Sequence, residues 1–194
     1  MSETAIRFSG SGGQGLITAG IIFSEAAVLA GYHVSQTQNY GPEARGGASR
    51  TDVIFSDDEI SFPKPASLGL LIALTQESVD KYYRDMKDDG IMIVDGTLVG
   101  SLPCSDAIVI PFTRLAREKI GNALTANIIS LGAMVAFLDE FKTEYVEKSI
   151  AKRFSKSFVD TNIKAFQLGY KEGKEALKQR KQSMNICPAE ELEG

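Results

Sequence analysis

The 194-residue sequence contains two cysteines, one histidine and no tryptophan. A typical iron–sulfur cluster takes four thiolates, so this chain alone cannot ligate one. A structural zinc site takes four Cys or His ligands, whereas Cys104, Cys187 and His33 are all there are, and they lie far apart. A Ser-His-Asp triad would have to use His33. The two cysteines lack the dense, even spacing of a secreted disulfide framework. Positive charge is not in excess. Lys plus Arg number 21 against 25 Asp plus Glu, a net charge of −4, which argues against nucleic acid as a partner. No unbroken apolar run is long enough to span a bilayer, and no signal segment opens the chain. The expectation is a cytoplasmic protein with no membrane partner.

What is present is an ordinary core-forming composition, 43% hydrophobic with 18 glycines. A chain of this length buries a substantial core without disulfides or metal. Residues 5–9 alternate apolar with polar and predict a first strand. A glycine-rich turn follows, then a helix over 16–30 that is apolar almost all round and so buried on most sides. Gly31 is its stop signal, and residues 32–37 predict a second strand, completing a strand–helix–strand unit. Residues 49–55 and 59–62 predict a hairpin around Ser56-Asp57-Asp58. The apolar run 68–74 predicts a buried strand. Thr75 is the N-cap of a helix to about residue 87, and strands are expected at 91–94 and 107–110. Helices are expected over 113–120, 123–140, 143–154 and 161–181. The fold class is therefore α/β: a single Rossmann-like domain over 1–184, with a mixed, mostly parallel sheet flanked by helices and a helical C-terminal part. Residues 185–194 form a polar, acidic tail expected to fray.

Gly10, Gly12 and Gly15 satisfy G-x-G-x-x-G between a strand and a helix, and Gly13 adds a fourth permissive position. Glycines here allow a tight turn and a close backbone approach, and the helix start offers free N–H groups and a positive dipole end to a phosphate. Close packing of helix on sheet is the alternative use. Nicotinamide dinucleotide binding requires an acid about twenty residues on, at the end of the second strand. That region reads Val34-Ser35-Gln36-Thr37-Gln38, with no acid. A second loop, residues 39–47, is polar and rich in Gly and Pro. Glu43, Arg45 and the nearby Arg50 could clamp a phosphate or carboxylate, or could pair internally on a solvated surface. His33 reads as structural. Asp88, Asp89 and Asp95 lack the clustered partners of a metal site. Cys104 has no neighbour that would activate its thiol. Asn127, Gly132 and Ala133 read as close-packing or partner-contact positions. The charges after Lys171 read as a solvated helical face.

The two loops together, Gly10 to Gly20 and Tyr40 to Arg50, resemble the gamma subunit of 2-oxoacid:ferredoxin oxidoreductases, the 2-oxoglutarate branch above all. Leu74-Thr75-Gln76-Glu77, Ile93-Val94-Asp95, Leu131-Gly132-Ala133 and residues 162–170 extend the likeness over nearly the whole chain, the acidic tail excepted. The resemblance implies a multisubunit enzyme that oxidatively decarboxylates a 2-oxoacid, with coenzyme A accepting the acyl group. It places thiamine diphosphate and Mg²⁺ on alpha and beta subunits and iron–sulfur clusters on a delta subunit, with electrons passing to ferredoxin or another acceptor. It associates the gamma chain with the coenzyme A site and with assembly. The residue inventory agrees, since there are too few cysteines for a cluster and no Gly-Asp-Gly segment with following asparagines for thiamine. No catalytic residue and no metal ligand is expected here. The cofactor-binding candidates are Gly10, Gly12, Gly13, Gly15, Glu43, Arg45 and Arg50. The competing expectations are a purely structural assembly module and a pyruvate or indolepyruvate oxidoreductase subunit.

Overall fold

The computed structural model describes residues 3–39, 48–103, 106–139 and 141–186. Glu43, Arg45, Cys104, Cys187 and most of the expected acidic tail lie outside the described residues. The first strand, β1 (Thr4–Ser11), enters helix α1 (Leu16–Leu29) through the glycine turn. Gly31, at φ 95°, ends that helix by donating to Val28 O while Tyr32 N returns to Ala27 O, a left-handed closure that favours glycine. The chain continues as β2 (His33–Asn39), β3 (Ala48–Ser56) and β4 (Leu68–Ala73). Helix α2 (Gln76–Tyr82) follows, with Thr75 accepting from Ser78 N as its cap. A single 3-10 turn then leads into β5 (Met86–Asp95), and β6 (Ile108–Ile110) completes the sheet.

The order is β2-β3-β1-β4-β5-β6. The pairs β1/β4, β4/β5 and β5/β6 are parallel, whereas β3 runs antiparallel to both β1 and β2. This corrects the expected 49–55/59–62 hairpin. Both edges of β3 are already laddered, so residues 59–62 have no strand to join, and Phe62 is exposed. The true hairpin is β2/β3, joined across residues 40–47. The helix expected to about residue 87 ends at Tyr82, and Met86 and Lys87 belong to a strand.

Side chains alternate between two buried layers. Ile6, Phe8, Val53, Phe55, Ile72 and Ile93 join the larger core, while Ala5, Ile54, Leu71, Met92 and Val94 join the smaller. Strands buried on both faces explain the unbroken apolar run of β4. Helix α1 covers the larger layer, together with α4 (Ala126–Val135), α5 (Thr143–Arg153) and α6 (Lys156–Ile186). Helix α2 covers the other with Val79 and Tyr82. Between β6 and α4 lie α3 (Phe112–Leu115), a π-helical turn closed by Gly121 at φ 78°, and a short 3-10 turn capped by Asn122. The expected helix 123–140 is thus shorter, and α6 starts earlier than residue 161. Helices α4 and α6 cross closely: a Cβ on Gly169 would lie 2.7 Å from the carbonyl carbon of Ile129, and one on Gly132 would lie 2.8 Å from Tyr170 N. Gly132 is therefore a packing position. No helix among the described residues is long and apolar enough to cross a membrane.

Candidate functional site

Helix α1 leaves the end of β1 toward one face of the sheet, and α2 leaves the end of the adjacent parallel β4 toward the other. The gap between the carboxyl ends of β1 and β4 is therefore a topological switch point, the place where open α/β sheets take ligands. The glycine turn sits there. Gln14 folds back on it, its Oε1 accepting from Ser11 N at 2.7 Å and its own N–H donating to Ser11 O at 3.2 Å. A Cβ on Gly10 would strike that same Oε1, so Gly10 serves the turn's own packing. Gly15, the residue at the helix start, has φ 74°, and no side chain among the described residues caps the helix. A Cβ on Gly12 or Gly13 would meet nothing within 4 Å. The result is an uncapped helix start, with unblocked backbone facing open space.

Asn127 holds this turn from behind. It is buried at the start of α4, donates from Nδ2 to Gly15 O at 2.8 Å, and accepts from Ile128 N at Oδ1. A Cβ on Gly15 would lie 2.5 Å from that Nδ2, so the glycine also makes room for the tie. A cavity of about 300 Å³ opens beside the turn, lined by Gly13, Gly15, Thr18, Asn127, Phe154 and Phe158 among others. Leu124 and Phe158, both lining residues, are 73% and 56% exposed.

Strand β3 begins next to this turn, with Gly10 paired to Ser49 and Ser11 to Ala48. Glu77 of α2 accepts from Ala48 N at 3.1 Å, and the Ser9 hydroxyl donates to Ser49 O and lies 2.9 Å from the Ser78 hydroxyl. Arg50, in contrast, does not face the glycine turn. It sits opposite Ser9, with its guanidinium 5.3 Å from the centre of the Tyr82 ring on the α2 face. It lines a different cavity, of about 240 Å³, with Arg7, Asp52 and Lys64.

Arg7 is the main feature missed from sequence. It is buried in the middle of β1, pairs with both oxygens of Asp52 (Nε to Oδ1 2.6 Å, Nη2 to Oδ2 3.0 Å) and also bonds Asp85. Burial alone would lower its pKa, but the hydrogen bonds and charges of Asp52 and Asp85 outweigh that and raise it above the ordinary value. A charged residue between Ile6 and Phe8, on a strand with both faces covered, was the available signal. His33 is exposed at the start of β2. Asp95 is buried and accepts from Thr97 N and Thr113 N, a structural use. Among the described residues no cluster of acidic, His or Cys side chains could hold a metal.

Residues 5–172 match the pyruvate ferredoxin/flavodoxin oxidoreductase family. The chain belongs to this family. Among its relatives is the 2-oxoglutarate synthase subunit KorC of Methanocaldococcus jannaschii, 43% identical over 88% of this chain and 94% of that one. The gamma subunit of a keto/oxoacid ferredoxin oxidoreductase from Geobacter sulfurreducens has the same fold, with a TM-score of 0.83 and 41% identity over 91% of this chain and 99% of that one. The fold recurs at 19% identity and a TM-score of 0.80 in a 2-oxoglutarate:ferredoxin oxidoreductase from Magnetococcus marinus, where it covers 90% of this chain and 32% of that one. Within the family this chain is a gamma-type subunit of a multisubunit 2-oxoacid:ferredoxin oxidoreductase. With two cysteines in its whole sequence it supplies no four-thiolate cluster.

Proposed function

We propose that this chain supplies a phosphate-binding part of the coenzyme A site of a 2-oxoglutarate:ferredoxin oxidoreductase. The observation that carries the reading is the uncapped start of α1 at the switch point, with Gly12 and Gly13 open to solvent. Backbone N–H groups at Gly12, Gly13, Gly15 and the first turn of α1 would receive a coenzyme A phosphate, aided by the helix dipole. Gly10 would shape the turn. Arg45 adds charge from the neighbouring loop, and Glu43 fixes that loop. Arg50 stands apart from this phosphate, because its side chain turns to the α2 face. The choice of 2-oxoglutarate over pyruvate or indolepyruvate is supported by the 43% identity to a 2-oxoglutarate synthase subunit. In this reading alpha and beta subunits hold thiamine diphosphate and Mg²⁺, a delta subunit holds the clusters that pass electrons to ferredoxin, and the complex works in the cytoplasm.

Gly12→Val gives a clean test. The new side chain enters empty space at an ordinary φ, so the fold is expected to survive while a phosphate docked there is pushed away. Titration of the assembled complex with coenzyme A should show about tenfold weaker binding, the loss of one charge-assisted contact. A second reading, a docking module with no small-molecule role, is favoured by the exposure of Leu124 and Phe158 beside the same cavity. Under it, Gly12→Val leaves coenzyme A affinity unchanged, and Leu124→Ser with Phe158→Ser prevents assembly.

A further inference from the structure

The second cavity lies on the opposite face of the sheet. The antiparallel register stacks two rows of side chains across three strands on this face: Arg7, Asp52 and Thr37, then Ser9, Arg50 and Asn39. Asp52 is the acid facing this cavity, and it is already committed. Arg7 takes both of its oxygens at hydrogen-bond distance and turns its remaining amino group to Asp85. Arg50 is left with a contact of 3.9 Å to Asp52 Oδ2, and its guanidinium donates no hydrogen bond to any described residue. Its guanidinium carbon lies 5.3 Å from the centre of the Tyr82 ring, a cation–π contact that leaves the edge donors unspent. Lys64, on the cavity wall, has no ion-pair or hydrogen-bond partner among the described residues. Two cations with unclaimed donors therefore converge on a polar hollow of about 240 Å³. That is smaller than the ~300–1,000 Å³ of sites for drug-sized ligands.

We propose that this cavity is a second anion site, independent of the glycine turn, which binds a small oxyanion group, phosphoryl or carboxylate, between Arg50 and Lys64. Thr37 and Asn39 stand on the same face and add side-chain hydrogen bonds. The buried Arg7–Asp52 pair sets the site up. By taking both Asp52 oxygens at hydrogen-bond distance it leaves Arg50 only a long 3.9 Å ion pair, and the planar fork of Arg50 suits an oxyanion better than a lysine there would.

The test is titration of the full chain with inorganic phosphate and, in a separate arm, with malonate, followed by amide chemical shifts. The expected result is a saturable response at Thr37, Asn39 and Arg50 in at least one arm. The arm that binds more tightly identifies the oxyanion. Arg50→Gln and Lys64→Gln should each weaken it about tenfold, with unchanged melting temperature, whereas Gly12→Val should leave it intact. Absence of a saturable response in both arms would overturn the proposal. So would a response abolished by Gly12→Val but not by Arg50→Gln, which would locate the anion at the turn instead.

Discussion

Asn127 links the fold to the candidate site, and its replacement separates two physical effects. In Asn127→Ala the Nδ2 donor to Gly15 O is lost, and Ile128 N loses its local acceptor. Gly15 O keeps Ala19 N as a donor at 3.1 Å, so it is not orphaned, and the cost falls at about 1–2 kcal/mol. For a chain of this size that is a fall in Tm of about 2–8 °C. Asn127→Asp keeps the shape but replaces the donor with a carboxylate oxygen facing the Gly15 carbonyl at the 2.8 Å spacing of the present bond. A buried charge costs about 3–5 kcal/mol when unpaired; the retained Ile128 N–H and the start of α4 offset part of this, and with the carbonyl opposed the order of stability at neutral pH is wild type, Ala, Asp. The pH dependence has a definite sign. Burial and the facing carbonyl favour the protonated acid, which donates the missing bond, so the folded pKa of the new Asp lies above its unfolded value of about 3.9. The folded state then binds more protons than the unfolded state between those two values, and the deficit of Asn127→Asp shrinks as pH falls through the raised pKa. Thermal melts of the three proteins from neutral to mildly acidic pH read this directly. An Asp variant as stable as the Ala variant at neutral pH, or one whose deficit grows on acidification, would refute the assigned bond.

Gly169→Ala opposes two other effects. Helix propensity alone predicts a gain of about 1 kcal/mol, but the new Cβ would lie 2.7 Å from the Ile129 carbonyl carbon, about 1 Å inside contact distance. Overpacking against backbone costs about 1–3 kcal/mol or more, so chemical denaturation should show a net loss, and a gain would show that the crossing of α4 and α6 opens freely. Arg7→Met leaves Asp52 with Arg50, 3.9 Å away, as its remaining cation, so the loss by the same measurement should fall below the about 3–5 kcal/mol of a fully unpaired buried charge, with much of it recovered in Arg7→Met/Asp52→Leu.

The local punctuation was legible in the sequence because it depends on neighbours in the chain. Gly31 stopping α1, Thr75 capping α2 and the glycines after β1 are set by backbone sterics and single hydrogen bonds. Pairing depends on distant residues, and there the reading failed. Residues 59–62 carry Ile60 and Phe62 in strand-like alternation, yet β1 and β2 occupy both edges of β3. The start of β5, Met86 and Lys87, reads as a helix end, and it is the pairing of Met86 with Leu68 of β4 that draws it into the sheet. The site divides the same way. Glycines and arginines were recognisable by type, but which side of the sheet Arg50 faces follows from register, and the tie from Asn127 to Gly15 crosses 112 positions of sequence.

The uncapped start of α1 also makes the chain its own reporter. In the free protein no side chain among the described residues caps the first amides of that helix, so they should exchange with deuterium at rates near those of a frayed end, while the buried amides of β1 and β4 stay protected. An anion seated on the turn would slow exchange over the turn and the first helical amides, with little change elsewhere. Exchange mass spectrometry on unmodified protein could then locate occupancy within an intact complex, without any label or substitution near the site.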